Sequence, residues 1–151
     1  MTETAITDTA IPEGFEEMEP YGPSHEMIGP MYVLYRGDKT VVGIRMAEKH
    51  RNKGTIVHGG ILAFLVDTVM TRACGRIREP DAWFATTTLN NEFIAAAKPG
   101  DWIEAEVEVL RQGRNVIFLD CQVRRDGPDG QLIMHSSGTF GRVNSRPKPS
   151  S

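Results

Sequence analysis

The sequence predicts an α+β domain in which an antiparallel sheet of five to six strands wraps one long buried helix. Three observations carry this. The run Ile61–Met70 is apolar around nearly the whole circumference of a helix, so the segment is built to be enclosed and not laid on a surface. Three long strand patterns follow it, clearest in Trp102–Leu110, where Ile103, Ala105, Val107 and Val109 alternate with Glu104, Glu106 and Glu108. Two shorter strand patterns precede it, and a sheet with one apolar face is a compact cover for a single helix.

In chain order, residues 1–30 form an acidic N-terminal arm broken by Pro12, Pro20, Pro23 and Pro30 and by Gly14, Gly22 and Gly29. Most of it reads as irregular, with a short helix over Glu13–Glu19, and it is expected to lie over the body or over a neighbouring subunit. The domain proper spans 31–143. Its pattern predicts strands at Met31–Tyr35 and Thr40–Met46 around the turn Arg36-Gly37-Asp38-Lys39, then a loop over Ala47–Val57 and a helix from Gly60 to Arg76. Strands are predicted at Ala85–Ile94, Trp102–Leu110, Val116–Arg125 and Gln131–Val143. Gln112-Gly113 and Asp126-Gly127-Pro128-Asp129-Gly130 fall in the last two turns. Residues 144–151 form a short basic tail, expected to be flexible. The sheet would keep exposed edges, so pairing between copies is expected.

Composition narrows the function. A chain of 151 residues fits one domain, and its formal net charge of -3 implies no basic face for nucleic acid. The apolar run is interrupted by Asp67 and Thr68 and is shorter than the roughly 20 residues a membrane span needs. The first residues have neither a basic nor an apolar secretion region, and Cys74 and Cys121 are far apart, so two buried free thiols and a cytoplasmic location are expected. No His/Cys cluster has metal-ligand spacing, and no metal is expected.

Chemistry concentrates in Asn52-Lys53-Gly54-Thr55-Ile56-Val57-His58-Gly59-Gly60 and in Asp67. A glycine turn at a helix start offers unpaired N–H groups and the positive end of the helix dipole, which suit a carbonyl gaining negative charge; Gly59 and Gly60 are the candidates. The bland alternative is a tight lead-in to the helix. Asp67 either reaches solvent, pairing with Arg72 or Arg76, or is a sequestered acid. Its neighbours Phe64, Leu65, Val66, Val69 and Met70 favour the second, where desolvation strengthens a carboxylate as nucleophile or base. His58 invites a dyad with Asp67, but a histidine before a helix more often fixes the turn. No G-x-S-x-G elbow is present. Lys98, Arg111, Arg114, Arg142 and Arg146 lie near strand ends; Arg111-Gln112-Gly113-Arg114 is a hairpin tip able to grip phosphate oxygens, or else a solvated turn. Phe64, Trp83, Phe84 and Phe93 could line an apolar pocket or simply fill the core.

The pattern N-x-x-G-x-x-H-G-G-x6-D, followed by three long strands, resembles that of the hotdog-fold acyl-CoA thioesterases, above all the phenylacetate-pathway type. The resemblance covers about residues 30–143. It extends to Lys98-Pro99-Gly100-Asp101 before a long strand and to Ser137-Gly138-Thr139-Phe140 in the closing one. It implies hydrolysis of an aryl or short-to-medium acyl-CoA, with CoA part of the substrate and no separate cofactor. It also implies a dimer or a tetramer built as a dimer of dimers. By residue, it implies Asp67 as nucleophile or general base, Gly59 as the N–H that polarises the carbonyl, and Asn52 as an orienting group. Thr86 falls where relatives carry a Ser or Thr near the acid. The active site would lie between subunits, the acid from one and the glycine turn from the other. A non-catalytic acyl-CoA binder is the competing reading; a buried acid is more than binding requires. A hotdog dehydratase would need a differently placed His and acid.

Overall fold

The computed structural model describes residues 10–144. Along the chain these form β1 (Glu16–Glu17), α1 (Pro23–Ile28), β2 (Tyr32–Arg36), β3 (Lys39–Arg45), a 3-10 turn at Glu48–His50, α2 (Gly59–Ile77), β4 (Trp83–Phe93), β5 (Trp102–Gln112), β6 (Val116–Arg125) and β7 (Leu132–Val143). All strands join one antiparallel sheet in the order β1-β2-β3-β5-β6-β7-β4. The sequence led to five or six strands; the seventh is the two-residue β1 contributed by the arm. α2 carries the chain from β3 to the far side of the sheet. There β4 pairs only with β7, and its other edge has no partner strand among the described residues.

α2 lies against the concave face, burying Leu62, Leu65, Val66, Val69, Met70 and Ala73 against Ile103, Ala105, Val107, Ile117, Leu119 and Phe140. The alternation in β5 and β6 sends these residues inward and the glutamates outward, as the period-2 pattern requires. Helix and sheet approach closely at Gly138, where an added Cβ would come within 2.7 Å of Met70 Sδ. The enclosure is less complete than the sequence suggests. Gly60, Thr71 and Gly75 are exposed and Asp67 is half-buried, so one stripe of α2 stays open. The helix is wrapped on the sides that meet sheet and arm, and this stripe meets neither.

The arm corrects a sequence expectation. Glu13–Glu19 holds a turn and β1, and the short helix comes later, where Pro23 starts α1. Alternate acids in Glu13–Glu19 can be solvated in an edge strand, whereas Pro23 is pre-set for a first helical turn. Met18 and His25 are buried, and Phe15 packs edge-on against Trp102. Residues 1–9 of the arm lie outside the described residues, as does the expected flexible tail apart from Asn144. Both cysteines are free and buried; burial pushes the Cys74 thiol up to about 12 and raises that of Cys121 as well. No helix of the described residues is long and apolar enough to cross a membrane, and no group of three or more His, Cys, Asp or Glu could hold a metal ion among them.

Two outcomes follow. Gly43 in β3 lies under Trp102, whose ring would come within 2.3 Å of an added Cβ, so Gly43→Ala should destabilise by about 1–3 kcal/mol in denaturant titrations. Three of the histidines, His25, His50 and His135, should titrate in a fixed order. Burial lowers His25 and His50 from 6.5, whereas His135, hydrogen-bonded to Asp120 and more weakly to Glu92, is raised from it. A lowered imidazole stays neutral in the fold while the unfolded chain takes up a proton. Stability tied to His25 and His50 is therefore complete above about pH 6.5 and lost as pH falls toward their folded values. That tied to His135 is complete below about pH 6.5 and lost as pH rises through its folded value. Ring-proton NMR should find His135 above His25 and His50; the reverse order would refute the assignment.

Candidate active site

The loop between β3 and α2 is held by side-chain bonds that its sequence does not advertise. Buried His50 accepts from the Ala47 N–H through Nδ1 at 2.9 Å, so its Nε2–H donates to the Ile28 carbonyl at 2.6 Å. Neutral imidazole serves both contacts, consistent with its lowered pKa. Lys49 donates to the Gly29 carbonyl at 2.6 Å, and His58 N–H to the His50 carbonyl at 2.9 Å. Asn52 is committed in part to the same loop: its Oδ1 accepts from the Gly54 N–H at 2.8 Å, leaving its amide NH₂ as the group it can offer a ligand.

At the start of α2 the two glycines separate. His58 is the N-cap, and its Nδ1 accepts the Gly60 N–H at 2.8 Å. This is the turn-fixing role weighed for His58, and it leaves Gly60 no free N–H while the cap holds. The Gly59 N–H has no acceptor among the described residues. Gly59 is also tightly covered, since an added Cβ would come within 3.2 Å of the Phe93 ring. Phe93 itself is 56% exposed at the end of β4. One free donor at a positive helix end beside an apolar ring suits a carbonyl oxygen.

Asp67 is two turns further along. It is half-buried, less sequestered in one chain than its neighbours implied, and it does not pair with Arg72 or Arg76. Thr86 Oγ1 donates to Asp67 Oδ1 at 2.5 Å. Asp67 Oδ2 has no partner among the described residues, which leaves a carboxylate oxygen open for attack or for holding a water. A bulge between Thr86 and Thr88 breaks the register of β4 with β7, and bulges re-aim side chains. Gly141 makes room for it: a Cβ there would come within 2.8 Å of Thr87 Cγ2. The alignment of Thr86 with the acid is thus a contact in space, reached across nineteen residues.

Gly59 and Asp67 do not meet within one chain. Eight residues separate them, which is about 12 Å of rise on a rigid helix. Of the remaining sequence candidates, Phe64 is partly buried against the core and faces His25 edge-on at 6.5 Å. Arg111 and Arg114 are exposed at the β5–β6 tip, where Gly113 donates to the Val116 carbonyl at 2.8 Å. Gly113, Arg114, Phe84 and Arg142 line a cleft of about 250 Å³. Arg146 lies outside the described residues. Trp83 and Phe84 line a larger groove of about 690 Å³ along the C-terminal half of α2.

With this geometry in hand, the kinship of the chain is plain. A family model described as the Thioesterase superfamily matches residues 54–130. A Pseudomonas aeruginosa protein named as an esterase is 30% identical over 131 residues, 86% of this chain and 96% of that one. Mouse acyl-coenzyme A thioesterase 13 is 31% identical over 102 residues, 68% and 71% of the two chains. In fold alone, the Escherichia coli PaaI protein of the phenylacetic acid degradation operon superposes with a TM-score of 0.71 at 19% identity, covering 81% of this chain and 85% of that one. The fold is therefore the hotdog fold of PaaI-like thioesterases. The chain belongs to the thioesterase superfamily, and its chemistry is thioester hydrolysis.

The Thr86 contact yields a test. Thr86→Val keeps the shape and removes the donor to Asp67; it should lower kcat about 10-fold or more, and Thr86→Ser should restore most of it. Equal rates for all three forms would remove this hydroxyl from the chemistry.

Proposed function

We propose that the protein hydrolyses an acyl-CoA, aryl or short to medium in chain length, at a site built from two copies of the chain. Asp67 of one copy acts on the thioester carbonyl directly or through water, steadied by Thr86. The Gly59 N–H of the other copy receives the developing oxyanion, with Asn52 orienting water or carbonyl through its amide. The observation that carries this reading is a free N–H and a free carboxylate oxygen on residues separated by about 12 Å of rise along one rigid helix. A thioester carbonyl held at that N–H is out of reach of the carboxylate on the same helix, so in this reading the acid comes from a second copy.

The edge of β4 that has no partner strand among the described residues supports the same reading. Residues opposite one another in an antiparallel pair have numbers that sum to a constant. A twofold pairing of β4 with its mate about Leu89–Asn90 would therefore put Thr86 of one copy opposite Phe93 of the other. Thr86 holds Asp67, and Phe93 covers Gly59, so such a pairing would join the two half-sites twice over. A homodimer is then the smallest active unit, and a tetramer would be two of these. CoA comes as part of the substrate, its phosphates gripped at the Arg111–Arg114 tip, where Gly113 keeps the hairpin tight. No metal or further cofactor is called for, and nucleic acid is not a partner. A cytoplasmic location belongs to the same proposal, supported by two unpaired thiols.

The experiment is complementation. Asp67→Asn alone should lower kcat on an acyl-CoA panel by about 100-fold or more, and Gly59→Val should do the same by crowding the N–H. Co-expressed with different tags, the two should form heterodimers with one intact site of two, and these, once purified, should recover about half of wild-type activity. Purified heterodimers that stay inactive would overturn the shared site. A wild type that binds acyl-CoA but releases no thiol would overturn hydrolysis in favour of a binding protein.

A further inference from the structure

Beside the catalytic stripe, the groove of about 690 Å³ on the C-terminal half of α2 is lined by Arg72, Arg76, Arg78, Tyr21, Tyr35 and Trp83, among others, and by no carboxylate. None of its three arginines makes an ion pair among the described residues. Two have local explanations. Arg76 donates to the carbonyls of Gly37 and Asp38 and stacks on Tyr35, and Arg78 donates to the carbonyls of Glu79, Pro80 and Ala82 and stacks on Trp83. Cations near a helix C-terminus are also favoured by the dipole.

Arg72 is different. It stands in mid-helix, and neutral phenols hold it: its Nε donates to Tyr35 Oη at 2.9 Å and its Nη1 to Tyr21 Oη at 3.4 Å. Its Nη2 has no acceptor among the described residues. Each phenol accepts from the guanidinium, so each keeps its own O–H to donate. The result is a fixed cation with uncancelled charge and two hydroxyl donors beside it, a donor set that an oxyanion completes. Arg72 lies five residues beyond Asp67, about 8 Å of rise, and Arg78 about 17 Å.

Building on the acyl-CoA reading, we infer that Arg72, Tyr21 and Tyr35 bind an anionic group of the thioester substrate and so make Arg72 a specificity residue. Two sources offer that chemistry: a carboxylate at the far end of the acyl chain, or a phosphate of CoA other than those gripped at the Arg111–Arg114 tip. Tyr21 comes from the N-terminal arm, which thereby takes part in substrate choice.

The test uses the full chain and four substrates of one acyl length: CoA thioesters ending in methyl or in carboxylate, and the matching pantetheine thioesters. For Arg72→Gln, KM should rise 10-fold or more on the substrates carrying the recognised anion, with kcat much less affected. A rise confined to the two carboxylate-ended thioesters assigns the acyl carboxylate; one confined to the two CoA thioesters assigns the phosphate. Tyr35→Phe and Tyr21→Phe, which keep the rings, should move KM in the same substrates. A uniform change across all four, or none, overturns the inference. Calorimetry with glutarate and with inorganic phosphate separates it from the parent reading. Uptake of either anion by wild type but not by Arg72→Gln, in a protein that cleaves no thioester, would leave the groove standing and sink the hydrolase. Uptake of neither anion, with thioesters cleaved alike by both forms, would sink the groove alone.

Discussion

A helix is stiff, and that stiffness governs this molecule. α2 holds its N-terminal donor and its central acid at a spacing that no side-chain rotation can close. In the two-copy site proposed above, chemistry using both draws on a second surface, and β4 offers an edge with no partner strand among the described residues. The half-buried state of Asp67 fits this division. A carboxylate sealed inside a monomer would carry a heavy desolvation penalty during folding. One on an open stripe stays solvated while the chain folds, and in the proposed site a second copy would cover it.

Much of the packing serves to fix where that helix lies. Gly138 lets Met70 settle onto β7, and Gly141 makes room for the bulge that turns Thr86 toward the acid. On the outer face, Gly43 admits Trp102, whose Nε1 donates to Glu104. Glu104 in turn receives Arg36 from β2 at 2.9 Å. Buried Glu104 is thus satisfied by two donors from two strands, which suits a carboxylate at 4% exposure.

The elements were legible because they repeat. Alternation in β5 and the apolar run of α2 are periodic signals, and their bounds moved by two residues at most. Aperiodic segments read poorly. In the arm, acids spaced for solvation looked helical over Glu13–Glu19, yet the chain there pairs with β2. Gly59 and Asp67 stood out in sequence because each is odd in its surroundings. The different fates of Gly59 and Gly60 could not, since they depend on which way the His58 ring turns. Nor could the bond from His50 to Ile28 or the Arg72–tyrosine cluster, whose partners lie 22 to 51 positions away and leave no local pattern.

The bonds from His50 and Lys49 to Ile28 and Gly29 bear on where this domain begins. Composition draws a border at residue 30, but the glycine loop anchors itself on carbonyls before it. A version trimmed to that border would leave an interior imidazole N–H with nothing to donate to, a vacancy that typically costs about 1–3 kcal/mol. A unit that keeps both anchors of the glycine loop therefore includes Ile28 and Gly29, and this end of the arm is part of the scaffold that aims the glycine turn.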